Sequence, residues 1–414
     1  MPSFEEARGI ILTHVKALGE ETVPLMDALG RVVSRDIMAP WDLPQYDNSA
    51  MDGYAVHASD CSSVPARLTI TGFLPAGGDA CPTVEAGCAV RIMTGAPLPA
   101  GCNAVVPIEE TEPSGDQVLI NQKVLPRQHV RVKGSDVAAG TQILPEGSGV
   151  RPAEIGMLAA MGHALVPVYR KARVAILSTG DELIELGVSP ATGKVINSNA
   201  LSLAAAVREI GAEPVLIGIA RDDIESHRGK MLEGLRCDAL ITSAGVSAGD
   251  RDLVREVAAG LGAEELFWKI GMKPGGPTAF SVWQGTPIFS LPGNPVSTMV
   301  TFELLVKPAL LKMMGHRKVL PPIVKGILAE DAHKKPGKLH FIRVTVKKRH
   351  GRHVVYCVGE QHTAILSTMT RCDALAALPC DATFIPAGSE VDLALMREVD
   401  LLSEGEEVGI RYCH

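Results

Sequence analysis

No stretch of the 414 residues approaches the ~18 consecutive apolar residues of a membrane span, which argues against a helical membrane protein. The opening MPSFEEARGIILTHVKALG lacks a basic region followed by an apolar core, so it is not read as a signal peptide. The nine cysteines (61, 81, 88, 102, 237, 357, 372, 380 and 413) form no CxxC and no zinc spacing. An odd, scattered set of this kind suits reduced thiols in a cytoplasm. There is no Walker A loop, no GxGxxG, no long low-complexity segment and no repeat at solenoid periods. Basic residues are not in excess: 40 Lys and Arg stand against 47 Asp and Glu, a net charge of −7. That balance argues against bulk electrostatic binding of nucleic acid or of an anionic membrane.

What is present is the composition of a folded, water-soluble protein, 46% hydrophobic and 21% charged. The length implies roughly two to four domains. Ser3 and Glu6 have capping-box spacing, and Phe4, Ala7, Ile11, Val15 and Leu18 fall on one face of an N-terminal helix. Residues 41–137 are rich in Gly, Pro, Val and short apolar runs, a β composition with frequent turns. RPAEIGMLAAMGHALVPV, 151–168, returns to a helix and a short strand. From about residue 171, strands such as RVAILSTG, PVLIGIA, DALITSAG and TPIFSLPG alternate with helical segments, the last being STMVTFELLVKPALLKMMG. That rhythm predicts a doubly wound, mostly parallel sheet over 171–317, with strands apolar enough to be buried on both faces. Residues 318–414 revert to short strands, for which a small barrel-like β domain is expected.

In open α/β sheets, ligands sit beyond the carboxyl ends of the strands. Four loops of the 171–317 segment belong there: STGDEL with Asp181 and Glu182, ARDD with Asp222 and Asp223, SAGVSAGDRD with Gly245, Asp250 and Asp252, and LPGNPVS with Gly293 and Asn294. Any one of these acids can serve only as a helix cap. Four such loops on one edge together offer N–H groups for an anion, and carboxylates that suit Mg²⁺ bridging to phosphate. FWKIGMKPGGP adds Lys269 and Lys273, which can neutralise an oxyanion or can simply be solvated. In 41–137, PQYDNSAMDGYAV carries Asp47 and Asp52 among small polar residues, RIMTGAPLPAG carries Thr94, and HVRVKGSDVAAG carries Arg131, Lys133 and Asp136.

DNSAMDGYAV, RIMTGAPLP, STGDEL, SAGVSAGDRD, KPGGP and LPGNPVS, in this order and spacing, resemble the molybdopterin molybdenumtransferases. That family includes a bacterial enzyme of molybdenum-cofactor synthesis and is similar to the C-terminal domain of gephyrin. The resemblance covers nearly the whole chain and implies a multidomain α/β protein. Its parts are a discontinuous helical linker domain (1–40 and 138–170), a β-rich second domain (41–137), an α/β domain like that of molybdopterin adenylyltransferase (171–317) and a C-terminal β-barrel (318–414). It implies Mg²⁺-dependent insertion of molybdate into adenylylated molybdopterin, giving molybdenum cofactor and AMP. It also implies a cytoplasmic homodimer whose active site is shared between subunits, and transient contact with a molybdopterin adenylyltransferase.

Carried over by motif position, the functional acids are Asp52, Asp136, Glu182, Asp222 and Asp252, with Glu182, Asp222 and Asp252 as the Mg²⁺ candidates. Substrate contacts are implied for Thr94, Arg131, Gly245, Ser247, Lys269, Lys273, Pro292, Asn294, Pro295 and Ser367. Molybdate is a dianion, so Lys269, Lys273 and Arg131 suit it, while Asp52 or Asp136 would relay protons to oxygens displaced from molybdenum. Two departures stand out: Gly276 replaces the second lysine of KPGKP, and Ala244 stands where glycine is common. Adenylylation of molybdopterin by ATP, a non-catalytic scaffold, and nucleic-acid binding through the basic 333–353 stretch remain as rival readings.

Overall fold

The computed structural model describes residues 1–78, 83–189, 191–243, 252–349 and 351–397. They gather into two compact units, one of residues 1–21, 30–34 and 167 onward, the other of 22–29 and 35–166.

The first unit opens with the helix Phe4–His14. Ser3 Oγ accepts from Glu6 N at 3.1 Å, and the Glu6 carboxylate accepts from Ser3 N at 2.8 Å, completing the capping box that the spacing predicts. Phe4, Ala7, Ile11 and Val15 are buried on one face. This helix, assigned from sequence to the linker segment, packs on the helix Lys307–Met313. Lys312 Nζ donates to Leu12 O at 2.6 Å, and Leu18 N donates to Met313 O at 2.7 Å.

The six-stranded sheet of this unit runs, in space, Glu213–Ala220, Arg173–Thr179, Ala239–Ser243, Thr286–Leu291, Ala279–Trp283, Glu264–Trp268. The first four strands are parallel, as the alternation of strands and helices predicts, and the last two form an antiparallel edge hairpin. Arg173–Thr179 is buried from Val174 onward and Ala239–Ser243 is buried throughout, because helices cover both faces. The long final helix is not continuous. Pro295–Thr301 is α-helical, Phe302–Val306 widens into a π turn, and Lys307–Met313 resumes the α form. Pro308 has no N–H to donate and its ring crowds the carbonyl four residues earlier, so a local widening fits this point.

Residues 323–395 close a five-stranded barrel. Leu339–Arg349 pairs with Arg352–Cys357, that strand with Ile323–Leu328, that with Glu390–Leu395, that with Ala374–Leu378, which returns to Leu339–Arg349. Leu328, Val344, Val355, Ala374 and Leu393 fill its interior.

The second unit is built on a mixed six-stranded sheet ordered Ala104–Pro107, Gly53–Val56, Cys88–Ile92, Ala66–Leu74, Gln117–Ile120, Thr111–Ser114. Apolar clusters lie on both of its faces, one around Tyr54, Val106 and Ile120, the other around Ala55, Val90 and Val105. The β composition of 41–137 is realised here. Gly53 is where the pairing is tightest: a Cβ at that position would lie 1.9 Å from Val106 O. Gly53→Ala should therefore cost about 2 kcal/mol of stability through overpacking. Gly72→Ala, where a Cβ meets nothing within 4 Å, should cost nothing or stabilise. Thermal unfolding of the two variants checks this, and equal midpoints would contradict it.

Candidate active site

Within the second unit, the stretch 43–53 acts as a thread between two loops. Ser49 N donates to Ala96 O at 3.0 Å, Gly95 N donates to Ser49 O at 2.8 Å, and Ala50 N donates to His129 O at 2.9 Å. Asn48 and Ser49 pair with Arg131 and Val130 as short antiparallel strands. The acids tie the remaining ends. Asp47 Oδ1 accepts from Lys133 N at 2.7 Å, and Asp52 Oδ1 accepts from both Thr94 N and Thr94 Oγ1 at 2.7 Å. Asp136 N donates to Leu43 O at 3.0 Å. The fold thus gathers Asp52, Thr94, Arg131 and Asp136 along one thread. The Thr94 hydroxyl and N–H hold the Asp52 carboxyl below its ordinary 3.8. One further polar atom, Asn48 Oδ1, is buried there without a hydrogen-bond partner among the described residues.

In the first unit, the carboxyl ends of the parallel strands open onto a cavity of about 640 Å³. Glu182, Pro292, Asn294 and Pro295 line it together with Asn197, Asn199, Ser243, Pro277 and Ala364. Asn197 caps the helix Ser198–Glu209: its Oδ1 accepts from Ala200 N at 3.3 Å and from Ser178 Oγ at 2.9 Å. Asn199 Nδ2 donates to Ser243 Oγ at 2.9 Å, Gly293 O at 2.8 Å and Thr298 Oγ1 at 3.4 Å, knotting three element ends. Its Oδ1 is buried and without a hydrogen-bond partner among the described residues. The sequence signal was available in INSNA, two asparagines where one cap suffices.

The STGDEL and ARDD loops meet. Asp222 N donates to Asp181 Oδ1 at 3.3 Å, and Asp181 N donates to Asp222 Oδ2 at 3.4 Å. Lys194 Nζ donates to Asp181 O at 2.7 Å, and Arg221 Nη1 donates to Leu183 O at 3.1 Å, so both cations are spent on loop carbonyls. Two exposed carboxylates side by side, each with a second oxygen to offer, fit the one or two carboxylates that Mg²⁺ takes beside substrate phosphate. Among the described residues no three His, Cys, Asp or Glu side chains converge on a metal position, so Glu182, Asp222 and Asp252 are not a preassembled ligand set.

The other expected residues are dispersed within the first unit. Asp252 caps the helix Leu253–Gly260, accepting from Arg255 N at 3.2 Å. It lines a separate surface pocket with Arg255, Glu265 and Ser281, where burial pushes its carboxyl above the ordinary value. Lys269 and Lys273 lie in the loop of the edge hairpin, and Met272–Lys273 pairs with Leu339–His340 of the barrel. Gly245, Ser247 and Ala244 lie outside the described residues. Ser367 opens the short helix Ser367–Thr370, and its carbonyl accepts from Thr370 Oγ1 at 2.9 Å. Among that loop's residues it is Ala364 that lines the cavity and Thr363 that accepts from Asn294 Nδ2, at 3.1 Å.

Arg343 holds this loop. Its side chain is fully buried, and its guanidinium donates to Thr368 Oγ1 at 3.1 Å and to Glu360 O and His362 O at 3.2 Å. Its backbone N donates to Gln361 Oε1 at 2.8 Å. An arginine spaced inside an alternating strand gives no sign of this before the strand is placed. At Gly276, a Cβ would lie 3.3 Å from Lys338 Nζ, so a cation already stands beside the turn where the family pattern has its second lysine.

A multidomain α/β protein whose parallel sheet presents a polar cavity at its carboxyl edge, joined to a closed barrel and a β-rich unit, matches three successive family models. These are described as "MoeA N-terminal region (domain I and II)" over residues 2–162, "Probable molybdopterin binding domain" over 175–312 and "MoeA C-terminal region (domain IV)" over 325–396. The chain is 38% identical over 406 residues to "Molybdopterin molybdenumtransferase 2" of Mycobacterium tuberculosis, covering 95% of this chain and 99% of that protein. It is 36% identical to a molybdopterin molybdenumtransferase of Nostoc sp., covering 94% of this chain and 93% of that protein. A solved molybdopterin biosynthesis moeA protein of Pyrococcus horikoshii OT3 superposes with a TM-score of 0.81 at 31% identity, covering 95% of this chain and all of that one. The chain belongs to the molybdopterin molybdenumtransferase (MoeA) family.

The Asp52–Thr94 pair makes a direct prediction. Because the folded carboxyl titrates below 3.8, its bonds stabilise the fold above that pH and are lost as pH falls through the folded value. Thr94→Val keeps the backbone donor and removes the hydroxyl, so the Asp52 titration midpoint should rise toward 3.8. A carbon-detected NMR titration reads it, and an unchanged midpoint would show that the hydroxyl does not hold the carboxylate.

Proposed function

We propose that this chain inserts molybdate into adenylylated molybdopterin and releases AMP and molybdenum cofactor, with Mg²⁺ as its metal. The observation that carries the reading is the cavity at the carboxyl edge of the parallel sheet, with Asn199, Ser243 and Asn294 in its lining. All of its lining residues but Ala364 lie within the segment that matches the molybdopterin-binding family model. A pterin ring edge carries both donors and acceptors, which Asn199, Ser243 and Asn294 can complement.

Asp222 and its neighbour Asp181 would hold Mg²⁺ at the exposed loop pair, with Glu182 on the same side. Bound there, Mg²⁺ supplies charge neutralisation at the phosphoanhydride. Lys269, Lys273 and Arg131 offer charge-assisted donors to the oxyanions. Asp52 is held by the Thr94 hydroxyl and N–H, which fixes its carboxylate in the wall. Asp52 or Asp136 would relay protons to departing oxygens. We further propose the four-domain division 1–40 with 138–170, 41–137, 171–317 and 318–414. In our reading the protein works as a cytoplasmic homodimer, the Asp47–Gly53 wall of one subunit facing the cavity edge of the other. Substrate would arrive by transient contact with a molybdopterin adenylyltransferase.

Purified protein with adenylylated molybdopterin, Mg²⁺ and molybdate should release AMP only when molybdate is present, with active cofactor formed alongside. Asp222→Ala should lower that rate about 100-fold, the scale of losing one preorganised electrostatic group. Molybdate-independent AMP formation, or ATP-driven adenylylation instead, would overturn the assignment.

A further inference from the structure

Trp268 ends the edge strand Glu264–Trp268, and its ring faces two cations: Arg255 Cζ and Lys269 Nζ each lie 3.9 Å from the ring centroid. The arrangement is unusual on two counts. Successive residues of an extended strand point to opposite faces, so a lysine does not ordinarily lie on the ring of its predecessor. Lys269 does so because its backbone is left-handed, with φ of 65°. That conformation is uncommon for a residue with a side chain. It is held by Lys269 N donating to Thr278 O at 3.0 Å and Ile270 N donating to Gly276 O at 2.9 Å.

Arg255 is fixed in turn. Its Nε and Nη2 donate to the two Glu265 carboxylate oxygens at 2.6 and 2.8 Å, and its Nη1 lies 3.8 Å from Asp252 Oδ2. A guanidinium locked by two parallel bonds is a rigid plate, and the indole lies against it. A continuous path thus runs from the helix-capping Asp252 through Arg255 and Trp268 to the Lys269 ammonium. Both of its ends are candidate site residues.

We propose that Trp268 and Arg255 are positioning residues that hold the Lys269 ammonium ready for a tetrahedral oxyanion of the reaction; this rests on the function proposed above. A lysine is a compact charge on a flexible four-carbon stem, and ordering it costs rotamer freedom at the moment of binding. Stacking on the indole removes that cost beforehand. Two cations on one ring also repel each other, and an oxyanion arriving at Lys269 relieves that repulsion. The oxyanion is molybdate or the pterin phosphate; the two share this chemistry.

The test is steady-state kinetics of molybdate-dependent AMP release, varying molybdate and adenylylated molybdopterin separately. Trp268→Leu should raise one of the two KM values about five-fold with kcat little changed, a cation–π contribution of ordinary size. Trp268→Phe, which keeps an aromatic face, should recover most of the loss. Trp268→Leu should add nothing in a Lys269→Ala background. Arg255→Met leaves the indole in place and should raise the same KM, which covers failure of the leucine variant to fold. A rise in the KM for molybdate assigns that ion, and a rise in the KM for the pterin assigns its phosphate. Unchanged KM values, a fall in kcat alone, no recovery with phenylalanine, or additivity with Lys269→Ala would each overturn the positioning role. A wild type that makes no AMP would instead overturn the reaction itself, and the role with it.

Discussion

Everything at the cavity depends on four strands running parallel. Arg173–Thr179 pairs in parallel with both Glu213–Ala220 and Ala239–Ser243, and the latter pairs in parallel with Thr286–Leu291. Parallel register sends all four carboxyl ends to one edge, and each connection must pass over that edge before its helix begins. Glu182, Asn199, Ser243 and Asn294, which span more than a hundred residues of sequence, become neighbours for that reason alone. Asn199 then locks the edge, because one amide reaches Ser243, Gly293 and Thr298 together. Antiparallel pairing among these strands would scatter the same residues to both ends of the sheet.

The net negative charge poses an evident difficulty for a protein that we read as handling phosphates and an oxyanion. The structure answers it by how the acids are used. Asp42 Oδ1 accepts from Ala139 N at 2.8 Å, Asp47 from Lys133 N at 2.7 Å, Asp52 from Thr94 N at 2.7 Å and Asp223 from Ser226 N at 2.7 Å. These carboxylates are engaged by backbone N–H groups, which stabilises the loops and disperses the charge. Lys133 Nζ is balanced by Asp42 at 3.4 Å, and Arg170 by Asp238 in a two-bond pair at 2.7 and 2.8 Å. Lys269 is different. It rests on an indole, with no carboxylate partner among the described residues, the kind of cation that keeps its charge for a ligand.

Much of this was legible in the sequence because it is local. The capping box at Ser3 and Glu6, the alternation of strands and helices from 171 and the β composition of 41–137 each depend on neighbours within a few residues. Of the residues taken from motif position, the fold gathers Asp52, Thr94, Arg131 and Asp136 in one unit and Glu182, Pro292, Asn294 and Pro295 in the other. What was not legible is long-range. Closure of the barrel needs Leu339–Arg349 to pair on both of its edges. Asn199 and Arg343 matter because of partners 17 to 99 residues away, and each looks ordinary in its own helix or strand. In the 360–370 loop, motif position pointed to Ser367, whereas geometry brings Ala364 to the cavity and Thr363 to Asn294. Four residues of sequence is one turn of chain, and only the fold says which way that turn faces.

The central claim is that the Asn199–Asn294 cavity receives the pterin substrate. A crystal structure of the protein with adenylylated molybdopterin tests it most directly. The account predicts the pterin within the cavity against Asn199, Ser243 and Asn294, and the phosphoanhydride toward Asp222. A ligand bound elsewhere would contradict it.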